Sequence, residues 1–244
     1  MKRVQHAPAY VLHRRPYRES SLLVDLFAEE HGRLRVVARG SRSGRSGSGP
    51  QALHPFVPLE AAWTGSGALK TLTQAEATAP GASRLAGRAL YLGLYVNELL
   101  VRLLPEYDPH PALFVRYRQL LRDLAGADDT EPLLRRFELA LLADLGYGLA
   151  LDCDGRTGLP IEPASEYVYV AGTGITRAAV GGDGRTRLSG ADLLAVAADD
   201  YARASARQCA KALLRAALAE QLGGRPLRSR ELFRTFASTG AKTP

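Results

Sequence analysis

A chain of 244 residues, 46% apolar and 23% charged, has an ordinary globular composition and is long enough to bury a full core in one or two domains. Its net charge of +7 favours polyanionic partners. Two cysteines, Cys153 and Cys209, exclude a disulfide framework and supply no Cys-x-x-Cys metal pair, so a reducing cytoplasm is the expected setting.

Arg14, Arg15, Pro16 and Arg18 break the N-terminal run, so no signal peptide is expected. No uncharged stretch approaches the roughly 18–20 residues that cross a bilayer, and no membrane contact is expected. Nearly all the basic residues are Arg, with Lys only at 2, 70, 211 and 242, a bias that GC-rich coding can produce. Distribution is therefore better evidence than the total. Residues 1–50 hold ten Lys/Arg against four Asp/Glu, whereas residues 81–150 hold eight against nine. The charge is localised, which coding bias alone does not predict.

Residues 8–78 read as β. Short apolar runs at Ala9–His13, Leu22–Phe27, Arg33–Arg39, Phe56–Trp63 and Leu69–Glu76 are separated by Gly-, Ser- and Pro-containing turns. Five such strands, with one long Gly/Ser connection at 40–50, suggest a small barrel, and an OB-fold is the simplest design. Along Arg33–Arg39 the residues alternate. Leu34, Val36 and Ala38 take one side, and Arg33, Arg35, Val37 and Arg39 the other. Same-side residues lie about 7 Å apart, and Arg42 and Arg45 follow in the loop. A guanidinium is a planar fork of donors suited to phosphate oxygens, so Arg33, Arg35, Arg39, Arg42 and Arg45 are candidate contacts to a nucleic-acid backbone. A solvated strand face is the alternative. Tyr10, Tyr17, Phe27, Phe56 and Trp63 are either base-stacking platforms or core.

From Ser83 the period turns helical. Leu85, Ala89, Leu92, Val96, Leu99 and Leu103 form one stripe, with Ser83 as the expected N-cap and Pro105 beyond the end. Pro111 opens a second helix through Leu124. Thr130 is the expected cap of a third, whose stripe is Leu134, Phe137, Leu141 and Leu145, with Gly146 as its left-handed C-cap. Three stripes facing one another predict a helical bundle. Glu98, Glu106 and Asp108 read as solvated surface. Residues 147–188 are irregular and Gly-rich, with a hairpin from Tyr167–Val170 and Ile175–Val180. Helices from Ser189 to Asp199, Arg203 to about Leu222 and Leu227 to Phe236 follow, and the last carries Arg228 and Arg230, further candidates for DNA contact. The fold class is α+β: an N-terminal five-stranded OB-fold barrel over 1–80, then an α-helical domain over 81–244 with the 147–188 insertion.

Several motifs in order resemble one family. They are Ala9-Tyr10-Val11-Leu12-His13, Arg15-Pro16-Tyr17-x-Glu19-Ser20-Ser21 and the strand from Gly32-Arg33 to Gly40. Tyr95-Val96-Asn97-Glu98-Leu99-Leu100, the run Arg135 to Leu142 with Leu145-Gly146-Tyr147-Gly148, and Pro226 to Phe233 complete the set. Together they resemble RecO, the bacterial recombination-repair mediator family. The resemblance implies an OB-fold, a helical domain and no catalytic site. It also implies annealing of strands coated by single-stranded DNA-binding protein and loading of recombinase together with RecR, on the nucleoid. Many relatives carry four cysteines after the Leu-Gly-Tyr motif as a structural zinc site. Here Cys153 stands without a partner thiol beside Asp152 and Asp154, so no metal or other cofactor is expected and Cys153 reads as a small buried hydrophobe.

No Gly-x-x-x-x-Gly-Lys-Ser/Thr, no strand-linked Gly-x-Gly-x-x-Gly and no His-Glu-x-x-His is present, and an enzyme is not expected. The competing class is a protein-interaction adaptor with incidental DNA contact. Arg135, with Leu139 and Leu145 at helical spacing, is the candidate surface for an acidic peptide such as the tail of single-stranded DNA-binding protein. The alternative places these residues in the helical core.

Overall fold

The computed structural model describes residues 3–40, 53–79, 85–179 and 184–232. The chain forms two compact units, Met1–Ala127 with Leu227–Pro244, and Asp128–Pro226. By compactness the first two helices group with the barrel, although the sequence division near residue 80 separates them from it.

In the first unit, β1 (Arg3–Tyr17), β2 (Ser21–Ala28), β3 (Gly32–Ala38), β4 (Pro58–Thr64) and β5 (Leu69–Ala77) close a barrel in the order β1-β2-β3-β5-β4. The expected strands are all present, and β1 is much longer than its apolar run. It pairs with β4 from Arg3 to Tyr10 and with β2 from Ala9 to Tyr17, with register shifts in both ladders that let one strand serve two neighbours. Closure comes from the parallel pairing of Arg35, Val36 and Val37 with Leu69, Lys70 and Thr71. The alternation in β3 meets the core as expected. Leu34, Val36 and Ala38 join Val11, Val24, Leu26, Leu59 and Trp63 inside the barrel.

The outer face of β1 and β2 is covered by α1 (Gly87–Leu103) and α2 (Pro111–Leu124). Tyr10 meets the Tyr117 ring edge-on at 5.2 Å, and Phe27 meets Phe114 at 5.3 Å, contacts worth about 0.5–1.5 kcal/mol each beyond area burial. Asn97 donates to Leu12 O at 2.9 Å and accepts from the Tyr117 hydroxyl at 2.7 Å, so the buried polar groups at this junction satisfy one another. Pro111 opens α2 as expected. The observed start of α1 is Gly87, and the expected cap Ser83 lies outside the described residues.

The second unit holds α3 (Glu131–Asp144), α4 (Gly190–Ala197) and α5 (Ala204–Gln221), with β6 (Glu166–Val170), β7 (Gly174–Arg177) and β8 (Leu188–Ser189) in a sheet of order β7-β6-β8. The expected single bundle is therefore corrected. Two helices pack on the barrel and three accompany a small sheet, because a periodic stripe specifies which face is buried but not what covers it. At the end of α3, Gly146 adopts φ +82, and the Tyr147 amide donates to Leu142 O at 2.8 Å, closing a left-handed cap. At the other end Thr130 makes no side-chain cap bond. Asp129 Oδ1 accepts from the Glu131 amide at 3.2 Å instead. Among the described residues no helix is long and apolar enough to cross a membrane.

Candidate nucleic-acid interface

The outer face of β3 is not the open arginine edge that its alternation predicts. The linker between α1 and α2 lies along it as a strap. Arg33 Nε donates to Leu104 O at 2.9 Å, and the Tyr107 amide donates to Arg33 O at 2.8 Å. Arg33 Nη1 lies 3.3 Å from Glu106 Oε1 and 3.5 Å from Asp25 Oδ1. Arg35 joins the same carboxylates, at 3.2 Å to Asp25 and 3.4 Å to Glu106. Arg33 is only 9% exposed. These two arginines hold the strap down, Arg33 buried and Arg35 partly exposed, and Glu106 is a buttress rather than solvated surface. Gly32 shows how close the strap lies: a Cβ there would sit 1.9 Å from Asp108 O, and its φ of +67 already favours glycine.

Beyond the strap the strand end is different. Arg39 is exposed and stands in a cleft of about 830 Å³ at one end of the barrel, formed where the β1–β2 turn meets the start of β5. Arg18 and Lys70 share the cleft, and Ser20 and Thr71 add hydroxyls. Glu19 contributes one carboxylate to the same rim. Guanidinium, ammonium and hydroxyl donors at this spacing suit a phosphate backbone. Arg18 and Lys70 escaped the sequence reading because a lone cation beside a turn makes no pattern. The Arg15–Ser21 turn motif, which contains Arg18, was the available signal. Arg42 and Arg45 lie outside the described residues.

Of the five aromatic candidates, Tyr10, Phe27 and Trp63 are buried. Burial raises the Tyr10 hydroxyl above its usual pKa, against the opposing charges of Arg118 and Arg122. Phe56 is partly covered, and Tyr17, which lines the cleft, has the Arg18 guanidinium 5.3 Å from its ring centre. Another aromatic appears instead. Tyr107, in the strap, is 39% exposed, and the Lys70 ammonium sits 5.1 Å from its ring centre.

Arg228 is exposed, and the Arg230 guanidinium lies 5.6 Å from the Tyr95 ring centre. The helical residues 228–232 begin on Glu98, whose carboxylate accepts from the Arg228 amide at 3.0 Å and from the Ser229 amide at 2.8 Å. Burial works to raise the Glu98 carboxyl. The Ser229 and Arg228 bonds and the Arg102 charge outweigh it and hold the pKa below the usual range. Glu98 is therefore an anchor, not idle surface.

The proposed peptide surface on α3 is also corrected. Arg135 is 8% exposed and pairs with buried Glu138 at 2.6 Å, and Leu139 packs against Val196, Tyr201 and Ala210. Leu145 is the half-covered C-cap residue. The three do not form an outward patch. Arg136 is the outward residue, bound to Asp199 at 2.7 Å.

Cys153 is half-buried rather than core, and its neighbour Asp154 is the buried residue. Asp154 Oδ1 accepts from the Arg156 and Thr157 amides at 2.8 and 2.9 Å, and Oδ2 from the Arg177 amide at 2.7 Å. Desolvation opposes its charge, yet these bonds hold the carboxyl below the usual range. Cys209 lies in the core of this unit, where burial and then the Asp192 charge push its thiol up to about 12. Among the described residues no group of three His, Cys, Asp or Glu could hold a metal.

A closed barrel of order 1-2-3-5-4 with a basic cleft at one end places the chain among OB-fold proteins. The Recombination protein O N-terminal model matches residues 1–80, and the Recombination protein O C-terminal model matches residues 84–231. The chain belongs to the RecO family. It is 49% identical over 234 residues to the DNA repair protein RecO of Marinobacter nauticus, covering 94% of each chain. The RecO of Aromatoleum aromaticum is 44% identical over 96% of each chain, and that of Pseudomonas aeruginosa 50% identical over 92% of each.

Proposed function

We propose that this protein is a non-enzymatic recombination mediator in DNA repair, acting on DNA in the cytoplasm. It binds single- and double-stranded DNA without sequence preference and anneals complementary strands coated by single-stranded DNA-binding protein. With RecR it helps load recombinase, and the acidic tail of single-stranded DNA-binding protein is its protein-side contact. The repair role is supported by relatives 44–50% identical over nearly the whole chain that are named DNA repair protein RecO. DNA contact is supported by one observation above the others, the convergence of Arg18, Arg39 and Lys70 on one cleft of the barrel. Annealing changes no covalent bond. It requires a surface that screens phosphates and tolerates any sequence, and this cleft offers no base-reading helix. Arg42, Arg45, Arg228 and Arg230 are further proposed DNA contacts.

The test is fluorescence anisotropy with a labelled single-stranded oligonucleotide over a series of salt concentrations. Replacing Arg18, Arg39 and Lys70 together with Ala should weaken binding and flatten the salt slope by about 2 units, at about 0.7 per phosphate contact. An unchanged affinity and slope would refute this surface and favour the adaptor reading.

A further inference from the structure

We infer that Tyr107 is a base-stacking platform for single-stranded DNA, supplied by the strap between α1 and α2 rather than by the barrel itself. The inference rests on the cleft being the DNA surface, and it adds a residue that discriminates single strands from duplex.

Four observations carry it. Tyr107 is 39% exposed, an aromatic ring on a basic surface rather than in a core. Its backbone is fixed by the 2.8 Å bond from its amide to Arg33 O, and its hydroxyl donates to Ala68 O at the start of β5. The ring is thus tethered at both ends, so little freedom remains to be lost when a base lands on it. It holds φ +63, a backbone region that a bulky side chain adopts only when its surroundings impose it. The Lys70 ammonium lies 5.1 Å from the ring centre and also lines the cleft with Arg39 and Arg18. A strand whose phosphates follow those three cations would bring a base within reach of the ring beside Lys70. Arg33 and Arg35 are engaged with Asp25 and Glu106, so Lys70 is the cation that links the platform to the cleft.

Stacking needs an unpaired base with an accessible face, which a duplex does not present along its length. Tyr107→Ala should therefore lower single-strand affinity by about five- to a hundredfold, the range that base–aromatic stacking covers. Duplex affinity should change by less than about twofold and the salt slope should not move, because no charge is removed. Tyr107→Phe, which keeps the ring and drops only the bond to Ala68 O, should retain most of the single-strand affinity. In the unmutated protein, an oligonucleotide carrying 5-iododeoxyuridine should photocrosslink to Tyr107, located by peptide mass spectrometry. The crosslink needs no variant and is independent of folding. Equal losses on single strands and duplex, with no crosslink at Tyr107, would overturn the platform and leave the residue a strut of the strap. Unchanged single-strand binding by Tyr107→Ala, in a protein whose Arg18/Arg39/Lys70 variant is weakened, would overturn the platform alone. Unchanged binding by that triple variant would overturn the cleft and the platform together.

Discussion

Replacing buried Asp154 with Asn tests what a carboxylate does beside Cys153. The side chain ties three backbone amides from two segments: Arg156 and Thr157 in its own turn, and Arg177 at the end of β7. Hydrogen bonds to a charged acceptor contribute about 1.5–3 kcal/mol each, and neutral ones about 0.5–1.5. An Asn oxygen can keep the two local bonds at the lower value. Its NH2 then faces the Arg177 N–H, donor against donor, and that bond is lost. The expected cost of Asp154→Asn is about 3.5–6 kcal/mol, confined to residues 152–177. With two compact units a single unfolding midpoint is ambiguous, so amide hydrogen exchange read at Arg177, Thr157 and Arg156 is the suitable assay. The pH dependence has a fixed sign. The folded carboxyl lies below its unfolded value of about 3.9, so its contribution is complete above that value and is lost as pH falls through the folded one. Cys153→Ser should be nearly silent, and a chelator should leave exchange at all three amides unchanged. Wild-type protection at Arg177 in Asp154→Asn, or loss of protection on chelation, would refute the argument.

Two further predictions follow from the first unit. Arg33→Ala should destabilise the barrel by about 1–3 kcal/mol, because Leu104 O loses its donor while Arg35 still reaches both carboxylates, measured as faster hydrogen exchange at the Tyr107 amide; a variant with wild-type protection but weakened DNA binding would restore the open-edge reading. Glu98→Gln should release the helical residues 228–232, read as faster exchange at the Ser229 amide, at a cost of about 1–2 kcal/mol. In the unmutated protein the same protection should persist above a pH of about 4.3 and fade as pH drops through the lowered Glu98 value.

The inner half of the fold was legible because it is set by neighbours in sequence. Leu34, Val36 and Ala38 face the core for the simple reason that strand side chains alternate. Gly146 is readable as a left-handed cap because only the local backbone decides it. What failed depends on distant residues. Arg33 meets Leu104 and Glu106, 71 and 73 positions away, and no pattern near β3 announces them. Arg135 shows the same limit within one helix. Its stripe was legible, but whether Arg135 or Arg136 faces outward depends on what packs against α3. Thr130 lost its cap role to the adjacent Asp129, a competition between neighbours that composition does not rank. Tyr107 left no trace because an isolated aromatic in a linker gains meaning only when the linker is seen lying on a barrel.

The localised positive charge of the N-terminal fifty residues therefore has two different uses. Arg33 and Arg35 with Asp25 and Glu106 form a group of two cations and two anions, with no net charge to offer a polyanion. Their work is to fix the strap, and the strap carries Tyr107 to the start of β5. The proposed binding charge lies past the end of β3, in Arg39, with Arg18 on the β1–β2 turn and Lys70 in β5 lining the same cleft. On the proposed reading, folding uses Arg33 and Arg35, which carboxylates from elsewhere in the unit reach, and binding uses Arg39 just past the strand. A guanidinium beside two carboxylates has little attraction left for phosphate, whereas one in an open cleft retains it. The salt slope of DNA binding should accordingly follow Arg18, Arg39 and Lys70, while barrel stability follows Arg33.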